Sequence, residues 1–72
     1  MSQPTARLWR VRKHSTSIDA QIVERENDGA RVDFFYDGDC IVSREFSSRE
    51  LAVADAERTL RDLERAGWNT HW

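Results

Sequence analysis

Apolar residues recur every three or four positions between Phe46 and Trp68, a spacing that predicts one amphipathic helix. The polar side of this helix is predicted to include Asp55. The residues that form its apolar stripe are Ala52, Val53, Ala56, Leu60, Leu63 and Ala66. Because a lone helix of this kind is marginal in water, the stripe must be covered by another part of the chain.

Both ends of the helix carry sequence signals, which place it over residues 47–66. Ser47 is the predicted N-cap, with Glu50 completing a capping box. Phe46 and Leu51 have the spacing of a hydrophobic staple. Gly67 is predicted to end the helix in the left-handed conformation, which glycine adopts without steric cost.

The residues before the helix alternate between apolar and polar, which predicts strands. Asn27-Asp28-Gly29 and Asp37-Gly38 are hairpin turn signals. The four predicted strands are RLWRVRK, IDAQIVERE, ARVDFFY and DCIVSREF. The predicted fold class is α+β, a four-stranded antiparallel meander followed by one C-terminal helix packed on one sheet face (ββββα). Residues 1–72 form one predicted domain, with 1–6 frayed and 67–72 an aromatic tail.

The pairing register depends on the turns. A three-residue loop with Gly29 in the left-handed conformation would place Ile22 opposite Phe34. A two-residue type I′ turn at Asp37-Gly38 would bring Ile41 to the inner, helix-covered face beside Phe34. A loop that is one residue longer would bring Val42 there instead, and the sequence leaves both options open.

The sheet face without a helix is predicted to carry an apolar patch. Leu8, Val23 and Phe35 fall on that face if the strands alternate regularly, and Trp72 lies in the tail. Apolar patches on small proteins usually mark contact surfaces. These four residues are therefore the predicted interface anchors of a self-associating domain, most simply a homodimer. The predicted function is protein interaction without enzymatic activity.

Composition and charge limit the classes of function that this protein can have. The chain has 72 residues and a net charge of −2. Residues 1–18 hold four basic residues and no acidic one, whereas the remainder holds seven basic and thirteen acidic residues. The sequence has no apolar run long enough to cross a membrane, so we expect no membrane partner. One cysteine, Cys40, cannot form an internal disulfide, and this favours a reducing cytoplasm.

The sequence offers little for catalysis, and we expect no enzyme activity, no cofactor and no metal. His14 and His71 are the only histidines. Cys40 next to a hairpin is interpreted as a small packing residue. Asp37-Gly38-Asp39 lacks the further ligands of a calcium loop and is interpreted as a turn. Glu50 is assigned to the helix cap.

A basic N-terminal strand suggests a second function, single-stranded nucleic-acid binding. Trp9, Arg10, Arg12 and Lys13 are the candidate contacts, because such binders combine phosphate contacts with base stacking. The alternative is that the arginines solvate an edge strand and pair with acidic residues such as Asp33.

The ββββα order resembles one repeat of the Whirly, PUR and PC4-type single-stranded nucleic-acid binders, which pair two such units. The resemblance is one of topology, so no functional residue carries over. LWRVRK near the start and GWNTHW at the end are similar to segments of short uncharacterised bacterial proteins, and this likeness implies no activity.

Overall fold

The computed structural model describes residues 5–26 and 28–70. The elements in these ranges are β1 (Thr5–Lys13), β2 (Thr16–Glu24), β3 (Ala30–Tyr36), β4 (Asp39–Phe46), α1 (Arg49–Arg65) and β5 (Asn69–Thr70). The strands form one antiparallel sheet in the order β4-β3-β2-β1-β5, and α1 packs on one face of it. The predicted ββββα architecture is confirmed, and the short β5 is added beside β1.

The boundaries of the described ranges bear on three sequence predictions. β1 begins at Thr5, so the end of the segment 1–6, predicted to be frayed, is already strand. Residues 1–4, Asn27 of the predicted loop, and His71 and Trp72 of the aromatic tail lie outside the described residues.

The turn between β3 and β4 is the predicted two-residue turn. Asp37 and Gly38 both have positive φ, at 50° and 89°, as a type I′ turn requires. Tyr36 lies opposite Asp39 across this turn. The right-handed twist of the two strands favours this turn type, so local sequence is sufficient to specify it.

The register between β2 and β3 differs from the prediction by two residues. Ile22 lies opposite Val32, whereas the turn signal predicts Phe34 in that position. The left-handed residue in this loop is Asp28, with φ 66°, and the predicted role of Gly29 was wrong. Because side chains alternate with a period of two, a shift of two residues keeps every side chain on its predicted face.

Two bulges change the faces of residues near them. The pairing of β1 with β2 skips Leu8, and the pairing of β3 with β4 skips Ile41. As a result Val42 lies opposite Phe34 even though the turn is the short one. A bulge adds one residue to one strand, which decouples turn length from the facing of later residues.

The helix begins one residue later than predicted. Its N-cap is Ser48, whose hydroxyl accepts a hydrogen bond from the Leu51 amide at 3.2 Å. The Ser47–Glu50 capping box is therefore wrong. The C-terminus has the predicted left-handed Gly67, with φ 100°, and forms a Schellman motif in which the Trp68 amide donates to the Leu63 carbonyl at 3.0 Å.

We expect Ser48→Ala to lower the free energy of unfolding by about 1 kcal/mol, because it leaves an N-terminal amide without its acceptor. Ser47→Ala is the matched control and should change stability by less than about 0.5 kcal/mol. Urea titration followed by circular dichroism measures both. Equal losses for the two variants would contradict the assignment of the cap.

The core lies between α1 and the inner sheet face. Trp9 is 2% exposed, and its indole nitrogen donates to the Ala56 carbonyl at 3.0 Å. Ala52 and Ala56 are fully buried, so the helix approaches the sheet closely. Asp55, predicted on the polar side, is buried as well. Its carboxylate accepts from two arginines, whose long side chains reach it from β4 and from the next helical turn, Arg44 and Arg58.

Candidate interaction surface

The open edge of the sheet is formed by β4. Among the described residues this strand pairs with β3 alone, so its other side presents unpaired backbone groups. Its residues from Asp39 to Glu45 are exposed, and only Phe46 is half-buried. At the opposite edge β5 is only two residues long and pairs with Val11 and Arg12. A long exposed edge strand is a template for pairing with another strand.

Exposed apolar side chains gather at this edge. Ile41 is 57% exposed, and Tyr36 and Val42 are exposed beside it. Val42 lies opposite Phe34, and Tyr36 is two residues from Phe34 along β3, so both side chains share the helix-side face. We call Tyr36, Ile41 and Val42 the edge patch. The sequence did not predict this patch, because it places either Ile41 or Val42 inward under the helix and the other on the uncovered face.

Two of the charged side chains of β4 have partners within the protomer. Arg44 donates to the Asp55 carboxylate at 3.1 Å, and its guanidinium carbon lies 5.7 Å from the centroid of the Phe34 ring. Glu45 lies 3.8 Å from Arg25 on the other face. Charges at an edge normally discourage strand pairing. Arg44 and Glu45 each have a partner of opposite charge, so they oppose pairing with another strand less strongly than unpaired charges would.

The uncovered sheet face is not the apolar patch predicted from the sequence. Leu8 packs against the helix-side core, so its predicted position was wrong, and the bulge in β1 is the reason. Val23 has the predicted face, opposite Thr5 and Arg31, but it is only 6% exposed within one protomer. Phe35 is half-buried opposite Asp19. Two of the predicted anchors are therefore not exposed on this face: Leu8 lies on the helix side, and Val23 is buried.

Ion pairs occupy the centre of this face. Arg10 donates two hydrogen bonds to Asp19, at 2.8 and 2.9 Å, and Arg7 lies 3.8 Å from the same carboxylate. Arg31 and Asp33 form a second pair at 2.9 and 3.2 Å. The hydrogen bonds to Asp19, and secondly its negative charge, raise the pKa of Arg10. Both aspartates are buried, because the arginine side chains and neighbouring strands cover them.

The predicted nucleic-acid contacts do not form one site. Trp9 is buried on the helix side and has no open ring face for a base, so its predicted stacking role was wrong. Lys13 donates to the Ala66 carbonyl at 2.8 Å and neutralises the helix C-terminus. Arg10 and Arg12 point to the opposite face, where Arg10 is engaged by Asp19.

Other chemistry is sparse in the part of the chain that the structure describes. Within residues 5–26 and 28–70, no group of three or more potential ligands could hold a metal ion. No helix in those ranges is both long and apolar enough to span a bilayer. Cys40 is exposed opposite Phe35, with its sulfur 3.6 Å from the Ser43 hydroxyl.

Comparison with known proteins provides no relatives: no family model, curated protein or solved structure matches this chain. The topological resemblance to Whirly, PUR and PC4-type proteins therefore stays a prediction.

Proposed function

We propose that this chain is a non-enzymatic interaction domain that self-associates by pairing two copies of β4. The observation that carries the proposal is the exposure of β4 from Asp39 to Glu45 along its unpaired edge, beside the edge patch. Edge pairing uses backbone hydrogen bonds for affinity and side chains for register. The proposed contact surface is therefore the β4 edge and not the uncovered sheet face.

The sequence of β4 is complementary to itself in an antiparallel pair. If Ile41 of one copy faces Val42 of the other, then Cys40 faces Ser43 and Asp39 faces Arg44. The two-fold axis repeats each contact, as an isologous interface requires. The centre of the pair is apolar. At each end Asp39 of one copy lies beside Arg44 of the other, whose half-exposed guanidinium also pairs with Asp55 of its own protomer, and opposite charges stabilise cross-strand pairs. This charge complementarity favours a second copy over an unrelated strand.

The bulge in β4 makes this register compatible with the faces of the sheet. Residues that face each other across an antiparallel pair must point to the same side. Asp39 and Arg44 lie opposite Tyr36 and Val32, which share the helix side. Cys40 and Ser43 lie opposite Phe35 and Asp33, which share the other side. Without the extra residue at the bulge, each of these pairs would combine opposite faces.

We expect the chain to form a dimer that dissociates when a single exposed residue of β4 is substituted. We expect light scattering at micromolar concentration to give a dimer for the unmodified chain. Ile41→Lys should weaken the dimer by more than about tenfold, because it brings two like charges to the centre of the pair and lysine at an edge opposes pairing. The side chain of Ile41 is 57% exposed, so the fold of the protomer should be retained.

Two control variants locate the contact. Leu51→Lys introduces the same charge at a similarly exposed position, 54%, on α1 and outside the proposed strand pair, and the dimer should persist. Phe35→Asp, on the uncovered sheet face, should likewise leave the dimer intact. A monomeric unmodified chain would refute self-association. Dissociation by Phe35→Asp but not by Ile41→Lys would move the contact to the sheet face.

A further inference from the structure

Three arginines of β1, Arg7, Arg10 and Arg12, form a stripe along the sheet face that α1 does not cover. They lie opposite alternate residues of β2, and alternate residues of a strand point to the same side. Regular alternation along β1 would direct Arg7 to the helix side together with Trp9. The extra residue at the bulge, Leu8, instead places Arg7 on the face of Arg10. We call Arg7, Arg10 and Arg12 the arginine stripe.

The arginine stripe carries more positive charge than the protomer neutralises. Asp19 is the acidic partner of two of its members: Arg10 donates to it at 2.8 and 2.9 Å, and Arg7 lies 3.8 Å from it. Arg12 is exposed and forms no ion pair with another residue that the structure describes. The three arginines and the one aspartate with which they pair leave a net charge of +2. An anionic partner would therefore be attracted to the stripe.

The guanidinium groups lie above the carboxylate and are open to solvent. The side chain of Asp19 is only 12% exposed, whereas those of Arg7 and Arg10 are 42% and 41% exposed. Arg10 uses its Nε and one terminal nitrogen for Asp19, so the two N–H groups of its other terminal nitrogen are available to a partner. Because Asp19 already fixes the orientation of this guanidinium, binding there would cost little further side-chain entropy.

The spacing of the stripe matches an extended acidic peptide. Alternate residues of a strand are about 6.8 Å apart, and Arg10 and Arg12 are such a pair. An extended peptide repeats its side chains on one side at the same distance, so acidic residues at alternate positions would meet the two arginines together. Arginine and carboxylate groups form bidentate, charge-assisted hydrogen bonds, which are stronger than those between neutral groups.

The same face is less suited to single-stranded nucleic acid, because such binders stack bases on open aromatic rings. Among the described residues, the aromatic side chain on this face is Phe35, which is half-buried between Asp19 and Cys40. Asp19 and Asp33 also place negative charge along the face, which opposes a chain that carries a charge at every residue. A peptide can present uncharged side chains at those positions.

We propose that the arginine stripe binds an extended acidic segment of a partner protein, in which carboxylates at alternate positions pair with Arg10 and Arg12. Arg7 adds positive charge at the end of the stripe. Because β2 and β3 separate β1 from β4 in the sheet, this surface does not overlap the β4 edge. The proposal therefore does not depend on self-association.

Fluorescence anisotropy of a short labelled peptide of alternating glutamate and threonine tests the proposal with the full chain. We expect binding at low salt that weakens as salt is added, because the contact is between exposed charges. Arg12→Glu should weaken binding by at least about tenfold, since it replaces an attraction with a repulsion. Arg61→Glu, the same reversal at an exposed position on α1, is the control and should change the affinity by less than about twofold.

Absence of binding at low salt would overturn the proposal, and so would equal weakening by the two variants. A peptide of the same composition with its glutamates in one block should bind less tightly, and equal binding would refute the match in spacing. Tighter binding of an oligothymidine through the same Arg12 would assign the stripe to nucleic acid instead. The Ile41→Lys variant should bind the alternating peptide as tightly as the unmodified chain. Loss of binding in that variant would place the peptide at the β4 edge and refute the assignment to the arginine stripe.

Discussion

Replacing Trp9 with alanine is expected to lower the free energy of unfolding by about 3–5 kcal/mol, the usual cost of truncating a buried aromatic side chain. Trp9 is 2% exposed and packs against Phe34, with 6.0 Å between the ring centroids. It also provides the hydrogen bond from the sheet to the Ala56 carbonyl. Since a domain of this length has a total stability of only about 3–5 kcal/mol, a large fraction of the variant should be unfolded at room temperature.

Chemical denaturation at a concentration that favours the monomer measures this loss. Trp9→Phe is the matched variant, because it keeps an aromatic ring but removes the indole donor. It should cost less than the alanine variant, by at least about 1 kcal/mol, since part of the packing remains. A loss below about 1 kcal/mol for Trp9→Ala would mean that Trp9 does not join the helix to the sheet.

Replacing Ile22 with alanine is expected to cost about 2–5 kcal/mol. Ile22 is among the largest fully buried side chains, at the centre of the sheet between Ala6 on β1 and Val32 on β3. Truncation there leaves a cavity that the surrounding strands cannot close without breaking their hydrogen bonds. The free energy of unfolding should therefore fall by more than the transfer of the lost methylene groups alone.

The same substitution at an exposed isoleucine is the control. Ile41→Ala changes the same side chain in the same sheet, and below the dissociation constant of the dimer it should cost less than about 0.5 kcal/mol. Differential scanning fluorimetry and urea titration compare the two variants. Similar losses at the two positions would contradict the burial of Ile22 in the core.

The sheet shows why an incorrect register still led to the correct core. The β2–β3 turn is centred one residue earlier than its Asn27-Asp28-Gly29 signal predicted, with the Arg25 amide donating to the Gly29 carbonyl at 2.9 Å, so Ile22 pairs with Val32 and not with Phe34. An even shift preserves facing, and the predicted inner residues Ile22, Val32 and Phe34 are all buried. Periodicity predicts which face of the sheet each residue occupies, but it does not predict which residues of two strands pair.

The bulges produced the errors that matter for the candidate surface. One extra residue at Leu8 and another at Ile41 change the sheet face to which their neighbours point. Neither position has a glycine or proline that would indicate a bulge in the sequence. Leu8 was therefore assigned to the uncovered face, and Val42 could not be assigned. The sequence does not predict the burial of Asp19 and Asp33, because it depends on arginine side chains that fold over them, Arg10 from the neighbouring strand and Arg31 from the same strand.

Local sequence determined the elements and their order, the type I′ turn at Asp37-Gly38 and the ending of the helix at Gly67. These features depend on residues close together in the chain, through periodicity and the backbone freedom of particular residues. Tertiary structure decided the register, the positions of the two bulges, the addition of β5 to β1 and the exposure of β4. Each of these features depends on contacts between residues that are distant in the chain, so no single segment of the sequence specifies it.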